Sequence, residues 1–213
     1  PEPMPQVPLG HHIRPYQDPH PPIAVSGLHK SSESLFTAGA NGWIPMSINY
    51  LPAVNLNTHW DAVCKGAAST GRPPPRRSEW RIAREVFVGK TDQEARDHVL
   101  NGPIGHAYTN YMFNVLKSLG ATGLYKGDPD MPDEALTAEY VCDNIWVVGS
   151  PDTVAEKLSK LYDDVGGFGT VLQIQYTYEP HQVWYDNMEL FANKVMPALA
   201  GLVPDEEPAA AAQ

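Results

Sequence analysis

A polar turn, His29-Lys30-Ser31-Ser32-Glu33-Ser34, follows the first apolar run of the chain and opens a helical pattern. The start of a helix presents N–H groups without intrahelical partners and a partial positive charge, which suits a phosphate. Ser31 and Ser34 stand three apart, so that on a helix their hydroxyls would share one face, and Lys30 would add charge. With Gly27, which closes the preceding run, they form the candidate ligand-binding set. A plainer reading stays open beside this one: Ser31 or Ser32 caps the helix and Lys30 is a solvated surface lysine. Met46, Ser47 and Asn49 end a second apolar run and are candidates to line a pocket, with methionine soft enough to pack on a ring. Met46 as ordinary core is the competing reading. Tyr108, Tyr111, Phe113, Tyr125 and Trp146 would cover an apolar substrate and keep water out, or else belong to a surface excursion or an oligomer contact.

Other chemistries find no support, and no catalytic residue is assigned. The eight histidines make no metal-ligand pattern: His11-His12 lies in a proline-rich strap, and His98 and His106 are separated by a Gly-Pro break. No metal site is expected. Ser26-Gly27 lacks the first glycine of a nucleophile elbow, and Asp163-Asp164 ends an amphipathic helix as solvated charge. Gly166-Gly167-Phe168-Gly169 follows a helix and precedes a strand, the reverse of the dinucleotide-binding order. A net charge of −10 argues against nucleic acid, and no apolar run approaches the roughly 18 residues of a membrane span. Cys64 and Cys142 sit far apart, outside any ligand spacing, and no signal-like segment opens the chain, so the thiols are read as reduced and the protein as cytoplasmic.

These residues must be positioned by alternating strands and helices. Residues 1–22 hold eight prolines and no hydrophobic period, and form an extended strap. Residues 23–28 predict a strand, followed by a helix that carries Leu35 and Ala38 and closes at Gly42. A second strand over 43–47 leads to a helix over about 51–68, and a third strand carries Trp80, Ile82, Arg84, Val86 and Val88. Thr91 and Glu94 make a capping box for the next helix. The pattern then breaks over about 101–145, too long for an ordinary loop of about 4–6 residues and of the kind that often forms a lid. Ser150 as N-cap and Pro151 at the first helical position open an amphipathic helix with Val154, Leu158, Leu161 and Val165 on one face. Residues 170–174 predict a fourth strand, 183–199 a last helix, and 204–213 a disordered tail. Alternation of this kind means parallel pairing. The fold class is α/β, a parallel (βα)4 unit of 23–203 with a long insertion at about 101–145. A closed (β/α)8 barrel needs eight such units, so the chain is half of one or a small open sheet.

Several segments carry a resemblance: Pro19-His20-Pro21-Pro22-Ile23, then Ser31 through Gly42-Trp43-Ile44-Pro45-Met46, Arg81 to Val88 with Thr91 to Arg96, and Val148-Gly149-Ser150-Pro151. Gly167-Phe168-Gly169-Thr170, Met188-Glu189-Leu190-Phe191 and Val195-Met196-Pro197 continue it. In that order they resemble the flavin-dependent luciferase-like monooxygenases, of the bacterial luciferase and limonene monooxygenase type. The resemblance implies the second half of a TIM (β/α)8 barrel. The turn at Lys30, Ser31 and Ser34, with Gly27, would hold the phosphate of FMN, and Met46, Ser47, Asn49 and Trp146 would line the flavin or substrate pocket. It further implies an oxygenase component that uses reduced FMN and dioxygen on a small apolar organic compound, with a separate flavin reductase as partner. A non-catalytic flavin-binding or interaction subunit is the alternative, because half a barrel demands a homo-oligomer or a second chain to complete it. A deazaflavin oxidoreductase of the same superfamily fits these segments less well. Opening on Pro rather than Met, the chain is expected to be a C-terminal fragment, a half that pairs with a separate chain, or a truncated relative.

Overall fold

A computed structural model describes residues 15–203. Of the expected strap only 15–22 is included, and it forms neither helix nor strand; the tail at 204–213 lies outside the described residues. Five strands carry the fold: β1 (Ala24–Gly27), β2 (Ile44–Ser47), β3 (Arg81–Val88), β4 (Val147–Gly149) and β5 (Thr170–Ile174). All pairings are parallel. β1 pairs β2, β2 pairs the start of β3, β5 pairs β3 over Arg81–Glu85, and β4 pairs its far end at Val86–Val88. β4 is one strand more than the sequence predicts, because three residues are too few to show a period.

β3 lies at the centre, and every residue in it after Arg81 is buried, which explains its weak alternation. Successive side chains still leave on opposite faces, so the adjacent charges Arg84 and Glu85 go to different layers. Ile82, Val86 and Val88 meet the apolar face of α7 (Pro151–Val165), formed by Val154, Leu158, Leu161 and Val165. The predicted caps of α7 are present: Ser150 Oγ accepts the Thr153 N–H, Pro151 takes the first helical position, and Gly166 ends the helix at φ 72°. At α3 (Asp92–Leu100), Thr91 Oγ1 accepts the Glu94 N–H at 3.1 Å. The Glu94 carboxylate reaches back one residue further than a capping box requires, to the Lys90 N–H at 2.7 Å.

α1 (Glu33–Asn41) and α2 (Ala53–Ser69) follow β1 and β2 and cross in close contact, with Gly39 of one against Val63 of the other and Gly66 against Phe36. The last helical stretch runs as α8 (His181–Leu190), a π-helical turn over Phe191–Val195, and α9 (Met196–Ala198). Asn187, buried in α8, accepts the Val88 N–H at 2.8 Å and so satisfies the end of β3.

The insertion corrects the expectation of a loop. It folds as α4 (Pro103–Ala107), a π-helical turn (Tyr108–Met112), α5 (Phe113–Ser118) and α6 (Ala138–Asn144), which are too short and too broken by glycine and proline to show a helical period. Its aromatic residues are core rather than cover. Tyr108, Phe113, Tyr125 and Trp146 are buried in one cluster with Phe87, and only Tyr111 stands out into solvent.

Candidate functional site at the carboxyl ends of the strands

Because all strands are parallel, the segments that leave β1, β2, β3 and β5 emerge at one end of the sheet, where α/β folds place their ligands. Two sets of side chains gather there.

The first is the turn between β1 and α1. Ser31 sits in the left-handed region at φ 51°, outside the helix, which begins at Glu33. Ser31 and Ser34 therefore do not share a helix face, contrary to what their three-residue spacing predicts. The Ser31 N–H donates to Thr58 Oγ1 at 3.0 Å, and Ser34 Oγ donates to Ser26 O at 2.7 Å, tying α1 to β1. That leaves the Ser32 hydroxyl to donate in the 2.9 Å contact with Ser34 Oγ. Ser32 stands at the cap position, yet its side chain accepts no helix N–H. The capping role is thus unfilled, and the first turn of α1 keeps its donors free of a side-chain cap. Lys30 is exposed beside it. Gly27 is needed for packing: a Cβ there would lie 2.5 Å from Leu35 Cδ1 and 2.9 Å from His59 Cε1.

α2 grips this turn from behind. His59 is fully buried, and its Nε2 lies 2.8 Å from His29 O, which can only accept, so Nε2 carries the hydrogen. Nδ1 is then an acceptor for Ser47 Oγ at 2.9 Å, and Ser47 in turn accepts from Trp80 Nε1 at 2.9 Å. Burial lowers the His59 pKa and keeps this relay neutral. Ser47 is therefore spent on the helix side of β2, a correction to its expected place in the pocket, while Met46 leaves from the opposite face and is half-buried.

The second set surrounds Glu85, which is fully buried. Its Oε1 accepts from Tyr108 Oη at 2.6 Å and from Asn49 Nδ2 at 2.5 Å. Tyr125 Oη donates to Tyr108 Oη at 3.4 Å, and Tyr50 stacks on Tyr125 with ring centroids 5.0 Å apart. Glu85 Oε2 is buried without a partner. Desolvation raises the Glu85 pKa, against the pull of the two donated hydrogen bonds. With both donors on Oε1, a proton on the carboxyl belongs on Oε2. Tyr176, just past β5, is pushed up to about 12 by burial and by the Glu85 charge. Asn49 turns its amide nitrogen inward to Glu85 and Tyr108, which leaves its oxygen as the acceptor for a ligand. Of the expected pocket residues, Asn49 joins this group. Trp146 packs edge-on against Tyr108 at 4.8 Å, with its indole N–H unpartnered. The sequence gives Glu85 away only as a carboxylate inside an otherwise buried apolar strand, a signal the weak alternation of β3 conceals.

No group of three His, Cys, Asp or Glu comes together among the described residues. Both cysteines are free, and no described helix is long and apolar enough to cross a membrane.

A parallel βα half-barrel with hydrogen-bonding groups collected at its strand ends is an α/β-barrel enzyme architecture. The chain belongs to the luciferase-like monooxygenase family, whose model matches residues 6–167. It is 32% identical over 180 residues to 3,6-diketocamphane 1,6-monooxygenase of Pseudomonas putida, covering 84% of this chain and 47% of that protein. It is 25% identical over 147 residues to limonene 1,2-monooxygenase of Rhodococcus erythropolis, covering 68% and 35%. The solved structure of the oxygenating constituent of 3,6-diketocamphane monooxygenase from Pseudomonas putida, a type II Baeyer-Villiger enzyme in complex with FMN, superposes with a TM-score of 0.76 at 30% identity, over 88% of this chain and 50% of that one. The chain thus spans about half the length of the diketocamphane monooxygenase it matches, in keeping with a half-barrel.

Proposed function

We propose that the chain is the FMN-binding part of an oxygenase component that oxidises a small apolar organic compound, a cyclic ketone of the diketocamphane kind, with electrons from a separate flavin reductase. The observation that carries this reading is the β1–α1 turn, where a helix start without a side-chain cap faces outward beside Ser31, Ser34 and Lys30 and is held rigid by Thr58 and His59. Such a start accepts a phosphate on its uncapped N–H groups and the Ser31 hydroxyl, while Ser34 would donate to it by releasing its bond to Ser26 O. Reduced FMN, when bound, supplies the electrons that activate dioxygen. The chain's own residues do the rest: the turn binds the phosphate, Asn49 and Met46 orient the ring system, the tyrosines around Glu85 exclude water, and the Glu85 carboxyl holds a proton at Oε2. A cytoplasmic setting, with reductase and reduced flavin at hand, suits the two free thiols.

To test this reading, the protein is given chemically reduced FMN, isotopically labelled dioxygen and a diketocamphane, and labelled oxygen is expected in the organic product. Flavin reoxidation that releases only peroxide would favour the second reading, a flavin-binding subunit without activity of its own. The observation behind that second reading is that β1 and β5 each pair on one edge only among the described residues. Open parallel edges recruit another chain, so we expect an oligomer or a complex with a complementary half-barrel. Light scattering that finds a monodisperse 23.4 kDa species would contradict this.

A further inference from the structure

Asn49 lies just past the end of β2, beside the strand end that leads into the β1–α1 turn: the N–H of its neighbour Ile48 donates to Gly27 O at 3.4 Å. The direction of its amide follows from the groups around it. Tyr108 Oη gives its hydrogen to Glu85 Oε1 at 2.6 Å, so towards Asn49 it can only accept, and Glu85 Oε1, which receives that hydrogen, accepts as well. Both therefore require the Asn49 nitrogen, which lies 2.5 Å from Glu85 Oε1 and 3.3 Å from Tyr108 Oη. A flipped amide would set oxygen against oxygen at both contacts. Asn49 Oδ1 is thereby turned away from this cluster, and it has no donor among the described residues. Unlike Glu85 Oε2 and the Trp146 indole nitrogen, it is not enclosed, for Asn49 is only half-buried and its oxygen is not among the shut-in polar atoms. It is an open acceptor whose direction is set by the two bonds of its own nitrogen.

The ligand group that suits it follows from where hydrogens are to be had. A cyclic diketone carries carbonyl oxygens alone and has no N–H or O–H to give. The ring system of an oxidised flavin has one N–H, at N3 of its imide edge. An acceptor at this place therefore serves the flavin and not the ketone, and Met46, half-buried on the same inner side of β2, offers the ring a soft apolar contact beside it.

We propose that Asn49 determines how the flavin ring is held, its Oδ1 accepting the N3–H of the isoalloxazine imide. This deepens the reading that a flavin lies at these strand ends and rests on it, but it does not rest on the phosphate turn. In the test, riboflavin and 3-methylriboflavin, neither of which carries a phosphate, are titrated by fluorescence into the parent and into Asn49→Leu, which keeps the branched shape of the side chain and removes the acceptor. The N3 methyl group should weaken binding to the parent by about tenfold, and Asn49→Leu should weaken riboflavin by a similar factor, the loss of one hydrogen bond. In Asn49→Leu the methyl group should cost nothing further, because the bond it removes is already gone. Equal binding of the two flavins by the parent would overturn the assignment without recourse to any variant. So would a methyl penalty that persists in Asn49→Leu, which marks a crowded pocket rather than a lost bond. In either case riboflavin still binds and the flavin reading stands, whereas a parent that binds neither compound would overturn both.

Discussion

Replacing Glu85 by leucine is expected to cost about 2–5 kcal/mol of stability, because it strands two buried donors, Tyr108 Oη and Asn49 Nδ2, at about 1–3 kcal/mol each. Glu85→Gln behaves differently. The amide oxygen still accepts from both donors, and the amide replaces a carboxyl whose ionised form burial disfavours. The sign follows from linkage: the folded-state pKa lies above that of the unfolded chain, so the folded state binds the proton more tightly. The stabilisation this gives the parent is full below the unfolded pKa of about 4.3 and is lost as pH rises through the folded value. Glu85→Gln cannot ionise, so urea unfolding should find it gaining on the parent as pH rises. A difference that stays constant from pH 4 to 9 would mean that Glu85 titrates as a solvated acid and that its buried setting is wrong.

A second large effect is expected where α1 crosses α2. Alanine is the better helix former by roughly 0.5–1 kcal/mol, so helix propensity alone says that Gly39→Ala and Gly66→Ala stabilise. The crossing says the opposite. A Cβ at Gly39 would lie 2.0 Å from Val63 O, and one at Gly66 would lie 1.9 Å from Phe36 O, both backbone atoms that no rotamer change can move. Overpacking against backbone costs about 1–3 kcal/mol, and at about 2–4 °C per kcal/mol for a chain of this size each change should lower Tm by several degrees. The turn at Ser31 would be displaced with α1, so FMN affinity should fall with stability. An unchanged or raised Tm in calorimetry would show that the helices cross further apart.

Much of this architecture is legible in the sequence because local chemistry and tertiary role coincide. Ser150-Pro151 and the spacing of Val154, Leu158, Leu161 and Val165 specify α7 without reference to the rest of the chain, and Thr91 and Glu94 do the same for α3. The insertion is not legible in this way. Tyr108 and Tyr125 lie 17 residues apart and come together on Glu85, a contact no period can announce. The candidate site divides along the same line. A turn of consecutive residues such as 29–34 can be read from its types, whereas the Ser47–His59–His29 relay depends on a helix returning to a strand end. Ser47 faces the helices and Asn49, two residues on, faces the interior because β2 ends at Ser47 and the chain has left the strand period by Asn49, a boundary that a four-residue strand does not display.

The claim that the β1–α1 turn holds the phosphate of FMN is tested most directly by comparing FMN with riboflavin, which lacks that phosphate, in the parent and in Ser31→Ala/Ser34→Ala. By fluorescence titration the double change should weaken FMN binding by about tenfold or more, since a hydrogen bond to a charged group contributes about 1.5–3 kcal/mol and about 1.4 kcal/mol is a factor of ten. Riboflavin should bind parent and variant almost equally, which separates loss of a phosphate contact from loosening of α1, where the Ser34 bond to Ser26 O at 2.7 Å also disappears. Equal FMN affinity in the two proteins would contradict the assignment and return Ser31 and Ser34 to a purely structural role.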